Sequence, residues 1–141
     1  MLASIKISAA IITFNEEDNI ERCIKSVLPV VEEVIVIDSF SQDRTKELAE
    51  KLGARVIENP FDGHIEQKNF AVKQTSFDWV LSLDADEELS VKLQNSILEI
   101  KSNPLQEAYQ MNRLTSYCGH WVRHCGWYPD TKIRLWKKTV G

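Results

Sequence analysis

The sequence is poor in the residues that mark several protein classes. Its three cysteines, Cys23, Cys118 and Cys125, are too few and too scattered for a disulfide framework, and their odd number suits reduced thiols in the cytosol. Five glycines and four prolines in 141 residues exclude collagen-like and low-complexity chains. No CxxC pair or zinc-type spacing occurs, so a Cys118, His120, His124 and Cys125 metal site stands only as the alternative to free thiols. No apolar run approaches the ~20 residues of a membrane-spanning helix. The longest, residues 7–14, has strand length, follows Lys6 and precedes acids, and it lacks the small-residue cleavage site of a signal peptide. What remains is 43% apolar and 27% charged, a composition that favours one folded domain over disorder.

Charge is unevenly placed. The net charge is −4, yet residues 1–110 carry −9 and residues 111–141 carry +5. All three tyrosines and three of the four tryptophans fall between positions 109 and 136. A basic, aromatic segment after an acidic body suits an anionic or sugar-bearing partner, or pairing with that body. A nucleic-acid partner is not expected, because the body would repel phosphates and no basic stripe crosses it.

Hydrophobic periodicity gives alternating strands and helices. Residues 5–13, 33–38, 55–57 and 79–84 read as buried parallel strands, and 18–28, 43–52, 63–75 and 90–101 as the helices between and after them. Asp18 with Glu21 has capping-box spacing, Gly53 fits a helix C′ position, and Ser90 fits an N-cap. Residues 107–115 and 131–137 alternate in the β manner and predict antiparallel edge strands. The expected fold is a three-layer α/β/α, Rossmann-like domain over 1–141, with a mostly parallel sheet and antiparallel edge strands.

In such sheets ligands bind outside the carboxyl ends of the strands. Here the first strand runs into Thr13-Phe14-Asn15-Glu16-Glu17, the second into Asp38-Ser39-Phe40-Ser41-Gln42-Asp43, and the fourth into Asp84-Ala85-Asp86-Glu87-Glu88. Three acidic loops on one edge repel each other unless a cation or ligand donors balance them. Asp84 and Asp86, two residues apart at a strand end, suit a hard divalent cation that bridges diphosphate oxygens. An EF-hand is excluded, since its glycine and later ligands are missing.

The elements ITFNEEDNI, VIVIDSFSQDRT, QKNFAV and WVLSLDADEEL, in this order and spacing, resemble the inverting GT-A enzymes of glycosyltransferase family 2. The later run from Tyr109 to Lys138 is similar to the lipopolysaccharide-core β-glucosyltransferase branch of that family. The resemblance implies a GT-A fold and a nucleotide-sugar donor, UDP-glucose above others. It implies that Thr13, Asn15 and Glu16 contact a uracil-like base and that Asp38 takes a base N–H or a ribose hydroxyl. Lys68 or Asn69 would reach the base or ribose, and Asp84 the ribose or a metal-bound water. Asp86 would ligate Mg²⁺ or Mn²⁺ at the diphosphate, neutralising the leaving group.

Inversion also requires a base across the sugar from the metal. Candidates downstream are Glu99, Glu107, His120, His124 and Asp130. Asp130 is preferred because it is the one acid of the basic segment, flanked by aromatics able to stack on a pyranose; His124 is the runner-up. Arg134 ranks first among the arginines for clamping a diphosphate or an anionic acceptor, since it follows Asp130 at same-side strand spacing. The acceptor implied is a hydroxyl of an envelope glycan or glycolipid, with the chain cytoplasmic and at most peripheral to the inner membrane. Two other readings stay open. A nucleotidyltransferase would normally show a basic, Gly-rich first loop, and here that loop is acidic. A nucleotide-sugar-binding module without turnover is the other, since family members usually continue past the point where this sequence stops.

Overall fold

The computed structural model describes residues 5–104, 108–113 and 130–138, with the side chains of 110–113 and 130–133 left aside. The elements are β1 (Ile7–Thr13), α1 (Ile20–Val27), β2 (Glu33–Asp38), α2 (Thr45–Lys51), β3 (Arg55–Glu58), α3 (His64–Lys73), β4 (Trp79–Asp84), α4 (Val91–Ser102), β5 (Ala108–Arg113) and β6 (Asp130–Lys137). The described strands form one mixed sheet in the order β3-β2-β1-β4-β6-β5. The first four are parallel, and β6 joins β4 antiparallel with β5 outside it.

Strand alternation divides the core into two layers. Ile7, Ala9 and Ile11 of β1, with Val34 and Val36 of β2, pack against Ile20, Cys23, Ile24 and Val27 of α1, Ala49 of α2 and Ile97 of α4. Ala10, Ile35, Ile37 and Val80 face the other way, against Ala71, Phe70 and Val72 of α3. Both faces of β1 and β2 are therefore covered, which is why these strands read as continuous Ile/Val runs rather than alternating ones. None of the helices among the described residues is long and apolar enough to cross a membrane.

The helix ends vary in how they are made. Ser90 caps α4 as expected, its hydroxyl accepting the Leu93 amide at 3.1 Å, and Gly53 (φ +89) ends α2. The expected Asp18–Glu21 capping box does not form: α1 starts at Ile20, and the Glu16 carbonyl accepts the Asn19 and Ile20 amides. The chain makes one extra turn before the helix because the Glu16 and Glu17 amides are already engaged with the β2–α2 loop, at Thr45 and Asp43.

Candidate functional site

The strand order reverses direction at β1, whose chain neighbour β2 lies on one side and β4 on the other. The loops after β1 and β4 part at this switch point, where crevices form in α/β sheets. A cleft of about 610 Å³ opens there. Its walls are Ile12, Thr13, Phe14 and Glu16 from β1 and its loop, Asp84, Ala85 and Asp86 from β4, and Ser39, Phe61, His64, Gln67 and Lys68 from the α3 side.

One wall is a pair of loops bound to each other. The Asn15 amide donates to Ser41 Oγ (2.7 Å), and Asn15 Oδ1 accepts the Gln42 amide (2.8 Å). The Glu16 amide donates to Thr45 Oγ1 (2.8 Å), the Glu17 amide to Asp43 Oδ2 (3.1 Å), and the Arg44 amide to Glu17 Oε2 (3.2 Å). Two residues here are left-handed: Asn15 at φ 50, a type that tolerates it, and Phe40 at φ 62, a bulky type that does not. Strain of that kind, about 1–3 kcal/mol, persists where surrounding contacts over-determine a loop.

The β4 end makes a tight turn. The Glu87 amide donates to the Asp84 carbonyl (2.9 Å), and the Asp84 amide donates back to Glu87 Oε1 (2.8 Å). The Ala85 amide reaches the Ile12 carbonyl (3.2 Å), tying the turn to β1. Beneath it the Cys23 thiol donates to the Asp84 carbonyl (3.6 Å). Burial, and then the nearby Glu87, Asp86 and Asp84, push this thiol far up, so it stays protonated and inert as a nucleophile.

Two polar atoms at the cleft are buried without a hydrogen-bond partner among the described residues: Thr13 Oγ1 and Asp84 Oδ1. Lys68 Nζ lies 3.7 Å from Asp84 Oδ1, an ion pair too long to count as a hydrogen bond. Glu16, Asp84 and Asp86 outnumber Lys68 on the lining, so an anionic ligand would need a cation between itself and these acids. Two carboxylates from one turn fit a hard cation that keeps waters and diphosphate oxygens as its other ligands. No group of three or more His, Cys, Asp or Glu side chains is arranged to hold a metal ion among the described residues.

The sequence-derived candidates divide on this geometry. Thr13, Glu16, Lys68, Asp84 and Asp86 meet at the cleft. Of the Lys68 and Asn69 pair, Asn69 instead lines a separate groove with Asn59, Pro60, Asp62 and Glu66. Asn15 works through its backbone and amide oxygen to fasten the loops. Asp38 is 1% exposed, and its two oxygens accept the Ser41 amide and hydroxyl, so it holds the loop on which its neighbour Ser39 faces the cleft.

Arg134 departs from the expected clamp. It is 4% exposed and donates to Glu87 Oε2 (2.8 Å) behind the β4 turn. The even spacing from Asp130 carries no information about side, because the β5–β6 register slips at Arg134. Asp130 opens β6 opposite Arg113, and its side chain lies outside the described residues, as do Glu107, Cys118, His120, Arg123, His124 and Cys125. Glu99 is exposed on α4. Sequence reasoning missed Phe61 and His64, whose rings meet edge-on at 5.1 Å on the cleft wall, and buried Gln67, which donates to Ser39 Oγ (3.0 Å). Gln67 had a signal, its place beside Lys68 in QKN; Phe61 and His64 had none.

A family model described as glycosyl transferase family 2 matches residues 8–136. An uncharacterized glycosyltransferase of Rickettsia bellii is 49% identical over 108 residues, covering 77% of this chain and 37% of that protein. The lipopolysaccharide core biosynthesis glycosyltransferase LpsC of Rhizobium meliloti is 34% identical over 105 residues, 71% of this chain and 38% of LpsC. The chain thus spans under two fifths of the length of these two relatives. Among solved structures, glucosyl-3-phosphoglycerate synthase of Mycobacterium tuberculosis with Mn²⁺ and UDP-glucose superposes with a TM-score of 0.51 at 30% identity, covering 60% of this chain and 35% of that one. The same synthase with Mg²⁺ and UDP gives the same score.

Proposed function

The chain belongs to glycosyltransferase family 2, and on that premise we propose that it takes a hexose from a nucleotide sugar, UDP-glucose foremost, and passes it with inversion to a glycan hydroxyl. The observation that carries this reading is the pair of buried oxygens without a hydrogen bond, Thr13 Oγ1 and Asp84 Oδ1, on residues that line a cleft at the sheet's switch point. A ligand with hydrogen-bond donors and a bound cation would satisfy both. UDP as the nucleotide is supported by the synthase structures, which hold UDP or UDP-glucose with Mn²⁺ or Mg²⁺. An envelope acceptor of the lipopolysaccharide-core kind is supported by the likeness to LpsC.

Asp86, exposed at the cleft, and Asp84 behind it would hold Mg²⁺ or Mn²⁺. Such an ion, when bound, supplies Lewis-acid neutralisation of charge on the departing diphosphate. Lys68 pairs with Asp84 and stands ready to shift its ammonium toward a phosphate oxygen. The Thr13 hydroxyl donates or accepts and the Glu16 carboxylate accepts at the nucleoside end, with exposed Phe14 beside them to cover a planar base. Asp130, on the strand next to β4, serves as the general base that takes the acceptor's proton, with His124 as the alternative.

Calorimetric titration of UDP, with Mn²⁺ and then with EDTA, beside GDP and ADP, tests the donor site. Binding that favours UDP and strengthens with metal is expected, and Asp86→Ala should lose the metal-dependent gain. Equal affinity with and without metal removes the two-aspartate assignment, and no nucleotide binding by the folded chain overturns the reading.

A further inference from the structure

The ladder between β4 and β6 is short. It pairs Trp79 with Lys137, Val80 with Trp136 and Leu81 with Leu135. Further along β4, toward the cleft, side chains take over two backbone groups. Arg134 Nη1 lies 3.4 Å from the Ser82 carbonyl, and the Asp84 amide donates to Glu87 Oε1 at 2.8 Å. Arg134 Nη2 links the two by donating to Glu87 Oε2 at 2.8 Å, in a pair that is almost wholly buried.

Arg134 reaches this position because of a bulge. Across β5 and β6, Tyr109 faces Leu135 and Gln110 faces Ile133, which leaves Arg134 as the extra residue. A bulge takes a side chain out of strand alternation and re-aims it. Here the guanidinium fork arrives at the back of the turn that carries Asp84 and Asp86. Neither Glu87 nor Arg134 lines the cleft.

We propose that Glu87 and Arg134 are positioning residues for Asp84-Ala85-Asp86, setting the turn so that its two carboxylates present one cation site; this rests on the donor-site reading above. Removing the guanidinium takes away the donor to Glu87 Oε2, so the carboxylate that accepts the Asp84 amide is held less firmly. The turn then keeps its ties to Ile12 and Cys23 but not its orientation relative to β6. A buried ion pair is a weak source of net stability, so its contribution here is geometric.

The test measures the ratio of UDP Kd in EDTA to UDP Kd in Mn²⁺ by calorimetry, together with Tm. Arg134→Gln should lower this ratio about tenfold, the size of an outer-shell effect on metal affinity. Glu87→Gln/Arg134→Gln, which restores a neutral hydrogen-bonded pair, should recover most of it. Should Arg134→Gln fail to fold, Arg134→Lys keeps the buried charge without the fork and should also lower the ratio. A ratio equal to that of the unaltered chain in every folded variant, with Tm lowered, overturns the proposal and leaves a stabilising pair. If the unaltered chain shows no metal-dependent gain at all, the donor-site reading falls, and the positioning role with it.

Discussion

The two rims of the sheet handle polar groups in opposite ways. At the amino-end rim of β1 and β2 the side chains satisfy each other. Glu32 accepts the Ile7 amide and pairs with Lys101, whose ammonium also donates to the Val30 carbonyl. Glu33 accepts the Ser8 hydroxyl and both the amide and hydroxyl of Ser76. At the carboxyl-end rim, Thr13 and Asp84 keep buried oxygens without hydrogen bonds, and Phe14, Phe61 and Ile65 stay exposed. Burying a polar group unbonded costs roughly 1–3 kcal/mol. That cost falls at the carboxyl end of the sheet, where Thr13 and Asp84 line the cleft.

Substitutions that equalise the rims test that contrast. The largest effect is expected from Lys101→Met, which leaves Glu32 without its cation. About 2 kcal/mol of stability should be lost, below the usual range for a buried pair because Glu32 keeps contact with water. Chemical denaturation measures it, and UDP affinity should not change, since the pair is at the far rim. Thr13→Val should act in the reverse sense, raising stability by about 1 kcal/mol while weakening UDP binding about fivefold, the worth of one hydrogen bond. A Thr13→Val chain that loses stability would mean that the hydroxyl is satisfied in the free protein.

The smallest effect concerns pH. Burial pushes the Glu33 carboxyl up, but hydrogen bonds from Ser76 and Ser8, with Arg55 nearby, outweigh it and hold Glu33 below its ordinary 4.5. Its contribution is therefore whole above pH 4.5 and fades as pH falls through the lower folded value. Glu33→Gln should cost about 2 °C in Tm at pH 7, and the gap to the unaltered chain should close as pH falls below 4.5 and through the lower folded value. A gap that stays constant with pH would show that packing, not charge, makes this contact.

Strands and cleft acids were legible in the sequence because buried parallel strands announce themselves as Ile/Val runs, and their ends then fall at one edge. Glu33–Asp38 and Trp79–Asp84 match the expected bounds to the residue. What spacing alone leaves open has local causes. Lys68 and Asn69 are adjacent on α3, and a 100° step around the helix sends only one of them to the cleft. Asp86 and Glu87 are adjacent acids, and the backbone turn alone decides that one faces outward and the other folds back on Asp84. Even spacing puts Arg134 on the side of Asp130, and a bulge between β5 and β6 breaks that alternation. The Asp18 cap failed because hydrogen bonds to a loop 25 or more residues away outcompeted a local one.

The two loops fastened together after β1 and β2 have a consequence for selectivity. A cleft wall that is loose in the free protein would have to be ordered by each ligand, at about 1–2 kcal/mol per backbone residue fixed. Here five cross-loop hydrogen bonds already fix that wall during folding. Little disorder is left for binding to remove there, so a molecule of the wrong shape cannot recover its misfit by remoulding the wall. Discrimination at that side of the cleft becomes a property of the folded chain itself, present before any ligand arrives.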